Sequence, residues 1–97
     1  MNQENFIPLH KICKLYKVEM SFFNSLSEIG LIKIITIEKS NYIHQDKITD
    51  IEKMIRMHFD LEINIEGIDI AFNLLQKIDE LENELNTIKN RLRIYEN

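Results

Sequence analysis

The chain has 97 residues, 44% of them hydrophobic and 29% charged, with a formal net charge of −4. That length makes one domain with room for an extension, and the acidic balance is the wrong sign for a protein whose partner is a polyanion. With two glycines and one proline there is little provision for long loops, so helix is expected to dominate.

No stretch approaches the roughly 18 consecutive apolar residues of a membrane span. The opening MNQENF lacks the basic and apolar regions of a signal peptide, so export is not expected. A single cysteine, Cys13, cannot form an internal disulfide, which fits a reducing cytoplasm. Leu9, Ile12 and Tyr16 surround it at helical spacing, so Cys13 reads as a small buried hydrophobe rather than a reactive thiol.

In chain order, Phe6 and Ile7 before Pro8 form a short extended lead-in. A first helix follows in LHKICKLYK, with Leu9, Ile12, Cys13 and Tyr16 on one face and Lys11, Lys14 and Lys17 on another. A break at Val18 to Met20 leads to a second helix with core positions Phe23, Leu26 and Ile29, stopped by Gly30 in a left-handed conformation. LIKIITI (31–37) and YIH (42–44), joined by the turn EKSN, predict a two-stranded hairpin wing. Asp46 is placed to cap a third helix whose apolar positions are Ile48, Ile51, Ile55, His58 and Phe59.

Asn64 is expected to cap a fourth helix, with Glu66 in its first turn. From there Ala71, Leu74, Ile78, Leu81, Leu85, Ile88, Leu92 and Tyr95 alternate spacings of three and four, which is a heptad seam. The organisation expected is a helix-turn-helix and wing over residues 1–63 and a coiled-coil helix over 64–97. So small a domain cannot shield so long a helix, and from about Leu81 the seam needs a partner, most simply a second copy. Glutamates 80, 82 and 84 and basic residues 89, 91 and 93 lie toward opposite ends of the outer half, and an antiparallel pairing would bring those ends together.

Several stretches carry a family resemblance: KIC (11–13), EIGLI (28–32), IEKMIRMHFDLEINIEGIDIAFNLL (51–75) with its L-x-I-N-x-x-G-I pattern, and KNRLRIYE (89–96). From about Phe6 to Tyr95 the chain resembles MerR-type winged helix-turn-helix proteins, and among them the CbpM chaperone modulatory family. The resemblance implies a mostly α fold with a small hairpin wing and a long C-terminal dimerisation helix. It also implies a protein partner, the J-domain of a CbpA/DnaJ-type co-chaperone, which such proteins occupy so that it cannot stimulate Hsp70.

DNA-reading MerR proteins begin the second helix with an arginine-tyrosine-tyrosine type run and place further arginines in the wing. Here the second helix begins SFFNS (21–25), and the wing holds only Lys33 and Lys39. Phosphate contacts need several cations, and Asn24, Ser25 and Ser27 alone cannot anchor base readout. The lysines at 11, 14 and 17 are the best argument for the alternative, a MerR-like DNA-binding regulator.

Between Asp60 and Glu84 there are eight acidic residues against one lysine, Lys77. J-domains present a basic helix to Hsp70, so Asp60, Glu62, Glu66 and Asp69 are the candidate partner-binding charges. Such a run is otherwise a solvated helix face. Phe22, turned away from the Phe23 face, is a candidate exposed aromatic anchor, or else packs sideways against the wing. The expected dimerisation residues are Leu74, Ile78, Leu81, Leu85, Ile88 and Leu92. His10, His44 and His58 have no metal-ligand spacing, and no phosphate loop or nucleophile elbow is present. No catalytic residue, metal or cofactor is expected.

Overall fold

The computed structural model describes residues 5–96, except for the side chains of Tyr95 and Glu96. In chain order they form β1 (Phe6–Pro8), α1 (Leu9–Tyr16), α2 (Met20–Glu28), β2 (Ile35–Ile37), β3 (Ser40–His44), a 3-10 turn (Gln45–Lys47), α3 (Ile48–Phe59) and α4 (Ile65–Glu96). This is a mostly helical winged helix-turn-helix with a small antiparallel sheet and a long last helix.

The turn between α1 and α2 exists because α1 ends abruptly. Lys17 takes a left-handed conformation (φ 56°), and the Val18 amide turns back to donate to the Cys13 carbonyl. The end of α2 is built the same way around Gly30 (φ 88°). Gly30 donates to the Ser27 carbonyl and Leu31 to that of Leu26, so the last carbonyls of the helix are satisfied as it stops.

The sheet differs from the expected hairpin in two ways. It has three strands in the order β1-β3-β2, because the lead-in pairs with β3, placing Ile7 opposite Ile43 and Phe6 opposite His44. The Phe6 and His44 rings meet edge to face with centroids 5.2 Å apart. Strand β2 also starts only at Ile35, since Ile32 is buried and Leu31 and Ile34 pack on the core. β-branched and apolar residues there serve packing rather than pairing. The turn shrinks to Glu38 and Lys39, both with positive φ.

Asp46 does not cap α3 with its side chain. Its backbone amide donates to His44 Nδ1 at 3.2 Å, inside the 3-10 turn that precedes the helix. Asn64 does cap α4, its Oδ1 accepting from the Gly67 amide at 2.7 Å.

One apolar core joins all these elements. Leu9 and Ile12 of α1, Phe23 and Leu26 of α2, Ile43 of β3, Ile51 and Met54 of α3 and Ile68 of α4 are essentially sealed from solvent. The buried face of α3 is Ile51, Met54 and Met57, not the set expected; Ile48 and Ile55 only flank it, and Phe59 lies outside. Cys13 is half-buried against the core, and burial pushes its thiol up from the ordinary range. Among the described residues no buried polar side-chain atom lacks a partner.

In α4 the last buried residue is Phe72, and beyond it every described side chain is exposed. The unsupported seam therefore begins at Leu74, two turns earlier than expected. Among the described residues no helix is long and apolar enough to cross a membrane.

The wing turn generates a stability prediction. A two-residue turn with positive φ at both positions favours Asn-Gly, whereas L-residues with a Cβ are strained there. Replacing Glu38→Asn together with Lys39→Gly is expected to stabilise the fold by about 1 kcal/mol, raising Tm by roughly 4–8 °C in a domain of this size. Thermal unfolding at matched protein concentration checks it.

Candidate protein-interaction surface

Helix α2 is held by Phe22, Phe23 and Leu26, all buried. Its solvent side shows Met20, Ser21, Asn24 and Glu28, with Ile29 just beyond the helix end. The expected facing is therefore altered at two positions. Phe22 turns inward, at 7% exposed, and Ile29 is 36% exposed.

The reason is the C-terminal end of α3 rather than the wing. Phe22 lies in the first turn of α2, where its ring meets His58 at 4.9 Å, Phe59 at 5.5 Å and Phe23 at 5.6 Å between centroids. The His58 Nδ1 sits 2.8 Å from the Ile63 carbonyl oxygen. A carbonyl can only accept, so Nδ1 carries the proton and the ring is fixed by the loop before α4. Phe59 remains 53% exposed and forms the outer lip of the cluster.

Phe22, His58 and Phe59 floor an open cleft of about 430 Å³ between α2 and the α3–α4 junction, with Lys17, Glu19, Ser21 and Ile65 on its walls. A second hollow of about 330 Å³ shares Ser25 and Ile65 with it and is lined also by Glu28, Ile29 and Glu66. Apolar floors with charges at the rim are the composition of a protein-docking surface.

The four expected acidic residues do not form one patch. Glu66 stands beside Glu28 on the α2 side, and Asp69, one turn further along α4, accepts from Asn73 Nδ2 at 3.0 Å. Asp60 ends α3 on another face, in a groove of about 320 Å³ that Lys53, Arg56, Leu61 and Leu75 also line. Glu62 is exposed in the connecting loop, in a left-handed conformation (φ 55°). Three residues missed at these sites are Glu28, Ile29 and Phe59. The signal for Glu28 was present, since it is the one charge of α2; nothing in the pattern separated Phe59 from its buried neighbours.

Of the basic residues, Lys11 and Lys14 are exposed on α1, Lys33 follows α2 and Lys39 sits in the wing turn. None stands on α2 itself. Along α4, Leu74, Ile78, Leu81, Leu85, Ile88 and Leu92 are each 48–58% exposed. The seam's last position, Tyr95, has its side chain outside the described residues. Among the described residues no three His, Cys, Asp or Glu gather where they could hold a metal ion.

Helix-turn-helix, wing and projecting helix together define a regulator of the MerR type. A family model for MerR HTH family regulatory proteins matches residues 7–90, and the chain belongs to that family. Comparison with curated proteins and with solved structures gave no significant match.

The inward Phe22 and outward Phe59 should separate in stability. Phe22→Ala is expected to lose about 3–5 kcal/mol, as for a buried ring removed from a packed cluster. Phe59→Ala should lose about 1 kcal/mol or less. Urea unfolding of the two variants tests the assignment.

Proposed function

We propose that the protein is a chaperone modulator of the CbpM kind, which binds the J-domain of a CbpA/DnaJ-type co-chaperone and prevents it from stimulating Hsp70. One observation carries this reading: in a MerR-family fold, the helix that would enter a DNA groove has no basic residue and ends in Glu28. Nucleic-acid affinity comes chiefly from phosphate neutralisation, and α2 has nothing with which to supply it.

The same surface suits a basic polypeptide helix. Glu28 and Glu66 line one hollow and Glu19 and Lys17 the other, their apolar parts being Phe22, Phe59, Ile29 and Ile65, and Asp69 follows Glu66 one turn along α4. A J-domain helix laid there would set its lysines and arginines against the rim acids and its apolar residues over the aromatic floor. Asp60 and Glu62, set apart, would act at longer range by steering encounter, which depends on ionic strength. Inhibition then requires no chemistry and no cofactor, only occupation of the J-domain face that Hsp70 needs. The seam from Leu74 to Leu92 would be covered by a second copy, making the modulator a homodimer in the cytoplasm alongside its target.

The alternative is a DNA-binding transcriptional regulator, favoured by the family assignment and the exposed Lys11, Lys14 and Lys17. Gel shift at low salt separates the readings, since a binder relying on phosphate contacts retards duplex DNA most strongly there.

Titrated against a CbpA-type J-domain, the protein should bind and abolish J-stimulated Hsp70 ATPase. Combining Glu28→Lys, Glu66→Lys and Asp69→Lys is expected to weaken J-domain affinity at least tenfold, about 1.4 kcal/mol. Asp60→Lys should change it far less. Calorimetry on variants with unchanged circular dichroism reads both, and unaltered affinity in the triple variant would remove this surface from the mechanism.

A further inference from the structure

The neutral His58 ring is committed on one nitrogen and free on the other. Its Nδ1 proton goes to the Ile63 carbonyl at 2.8 Å, so Nε2 carries a lone pair and no proton. Every buried polar side-chain atom among the described residues has a partner, and Nε2 has none within the chain, so Nε2 is open to solvent. The open space that His58 lines is the aromatic cleft of about 430 Å³.

Most other polar groups of the cleft also accept rather than donate. The Ser25 hydroxyl spends its proton on the Ser21 carbonyl at 3.0 Å, and the Ser21 hydroxyl turns toward Glu19 Oε2 at 3.5 Å. Lys17 is the one cation on the walls, and Glu19 balances its charge. The only ion pair among the described residues is that of His44 with Asp46, so Lys17 and Glu19 do not hold each other. Phe59, 53% exposed and edge-on to His58 with centroids 4.8 Å apart, is the platform.

These groups define an occupant by elimination. A cation gains little from a cleft whose formal charges cancel, and it meets Lys17. An aliphatic side chain would cover the Nε2 lone pair and the lysine ammonium without pairing either, which costs free energy. An indole offers Nε2 a proton but has nothing to accept from Lys17. A phenol does both: its ring lies against Phe59, and its hydroxyl donates to Nε2 and accepts from Lys17 Nζ. The adjoining hollow shares Ser25 and Ile65 with the cleft but is lined by Glu28 and Glu66 and no cation, so it complements a positive charge.

We infer that the cleft between α2 and the α3–α4 junction is a socket for one tyrosine side chain of the protein partner. A lysine or arginine one helical turn from that tyrosine enters the hollow of Glu28 and Glu66. The inference deepens the proposed role in protein binding and rests on it, and the two arms of the experiment tell their failures apart.

In the first arm, amide NMR spectra of the full chain are followed while N-acetyltyrosine amide or N-acetylphenylalanine amide is added. The tyrosine probe should shift Ser21, Ser25, Phe59 and Ile65 saturably and bind about fivefold more tightly than the phenylalanine probe, the ordinary worth of one hydrogen bond. Phe59→Ala, which removes a ring outside the core, should abolish binding of both. His58→Phe should keep the packing and erase the preference. In the second arm, each exposed tyrosine of a CbpA-type J-domain is replaced in turn. Alanine at one of them should weaken the complex about thirtyfold, and phenylalanine at the same position about fivefold. Shifts away from the cleft, or an equal response to the two probes, overturn the socket. A J-domain that binds at full strength whichever tyrosine is replaced also overturns it, and leaves the chaperone reading standing. A tyrosine probe seated in the cleft of a protein that ignores the J-domain supports the socket and removes that partner.

Discussion

The seating of Ile68 beneath α3 is the contact from which the rest of the molecule takes its geometry. Its side chain is fully buried, and Phe72 one turn later is nearly so. Together they fix the direction in which α4 leaves the domain. That direction places Glu66 beside the end of α2, closes the loop whose Ile63 carbonyl holds His58, and drives the remaining turns into solvent. The Asn64 cap assists by satisfying the Gly67 amide. Its fit is close, since a Cβ on Gly67 would fall 2.7 Å from an Ile63 methyl and 2.9 Å from the Asn64 oxygen. Surface and seam are thus two products of one docked helix start.

Against that frame the chemistry of α2 stands out by what it omits. Its inward face is aromatic and well packed, so the helix is positioned as firmly as any in the fold. Its outward face is small and neutral, ending in a carboxylate. A rigidly presented surface without cations suits recognition of a protein better than of a phosphate backbone. The proposed J-domain reading follows from this combination rather than from any one side chain.

Most of the architecture was legible in the sequence because strong local signals coincide with tertiary need. Gly30 and Asn64 each have a mechanism that operates within a few residues, and each appears where the pattern places it. The failures share a cause. Phe22, Ile29 and Phe59 sit near helix ends, where the facing of a side chain depends on which neighbouring element arrives there. The start of β2 and the pairing of the lead-in strand likewise turn on partners distant in sequence. The candidate site was legible in composition but not in arrangement: the acids were visible, while their division between two faces depends on how α3 and α4 cross. Asp60 beside Lys53 and Arg56 is the clearest instance.

More than twenty consecutive residues of α4 lie outside any core, with eight large aliphatic side chains about half or more open to water. A segment in that condition has no ordered reference state of its own, because an isolated helix of such composition is marginal in water. Under the proposed self-association, mass action would couple its folding to the concentration of the chain. On that reading, as the chain is diluted the outer turns would melt before the domain does, and the frayed stripe would be the first place where a protease can begin.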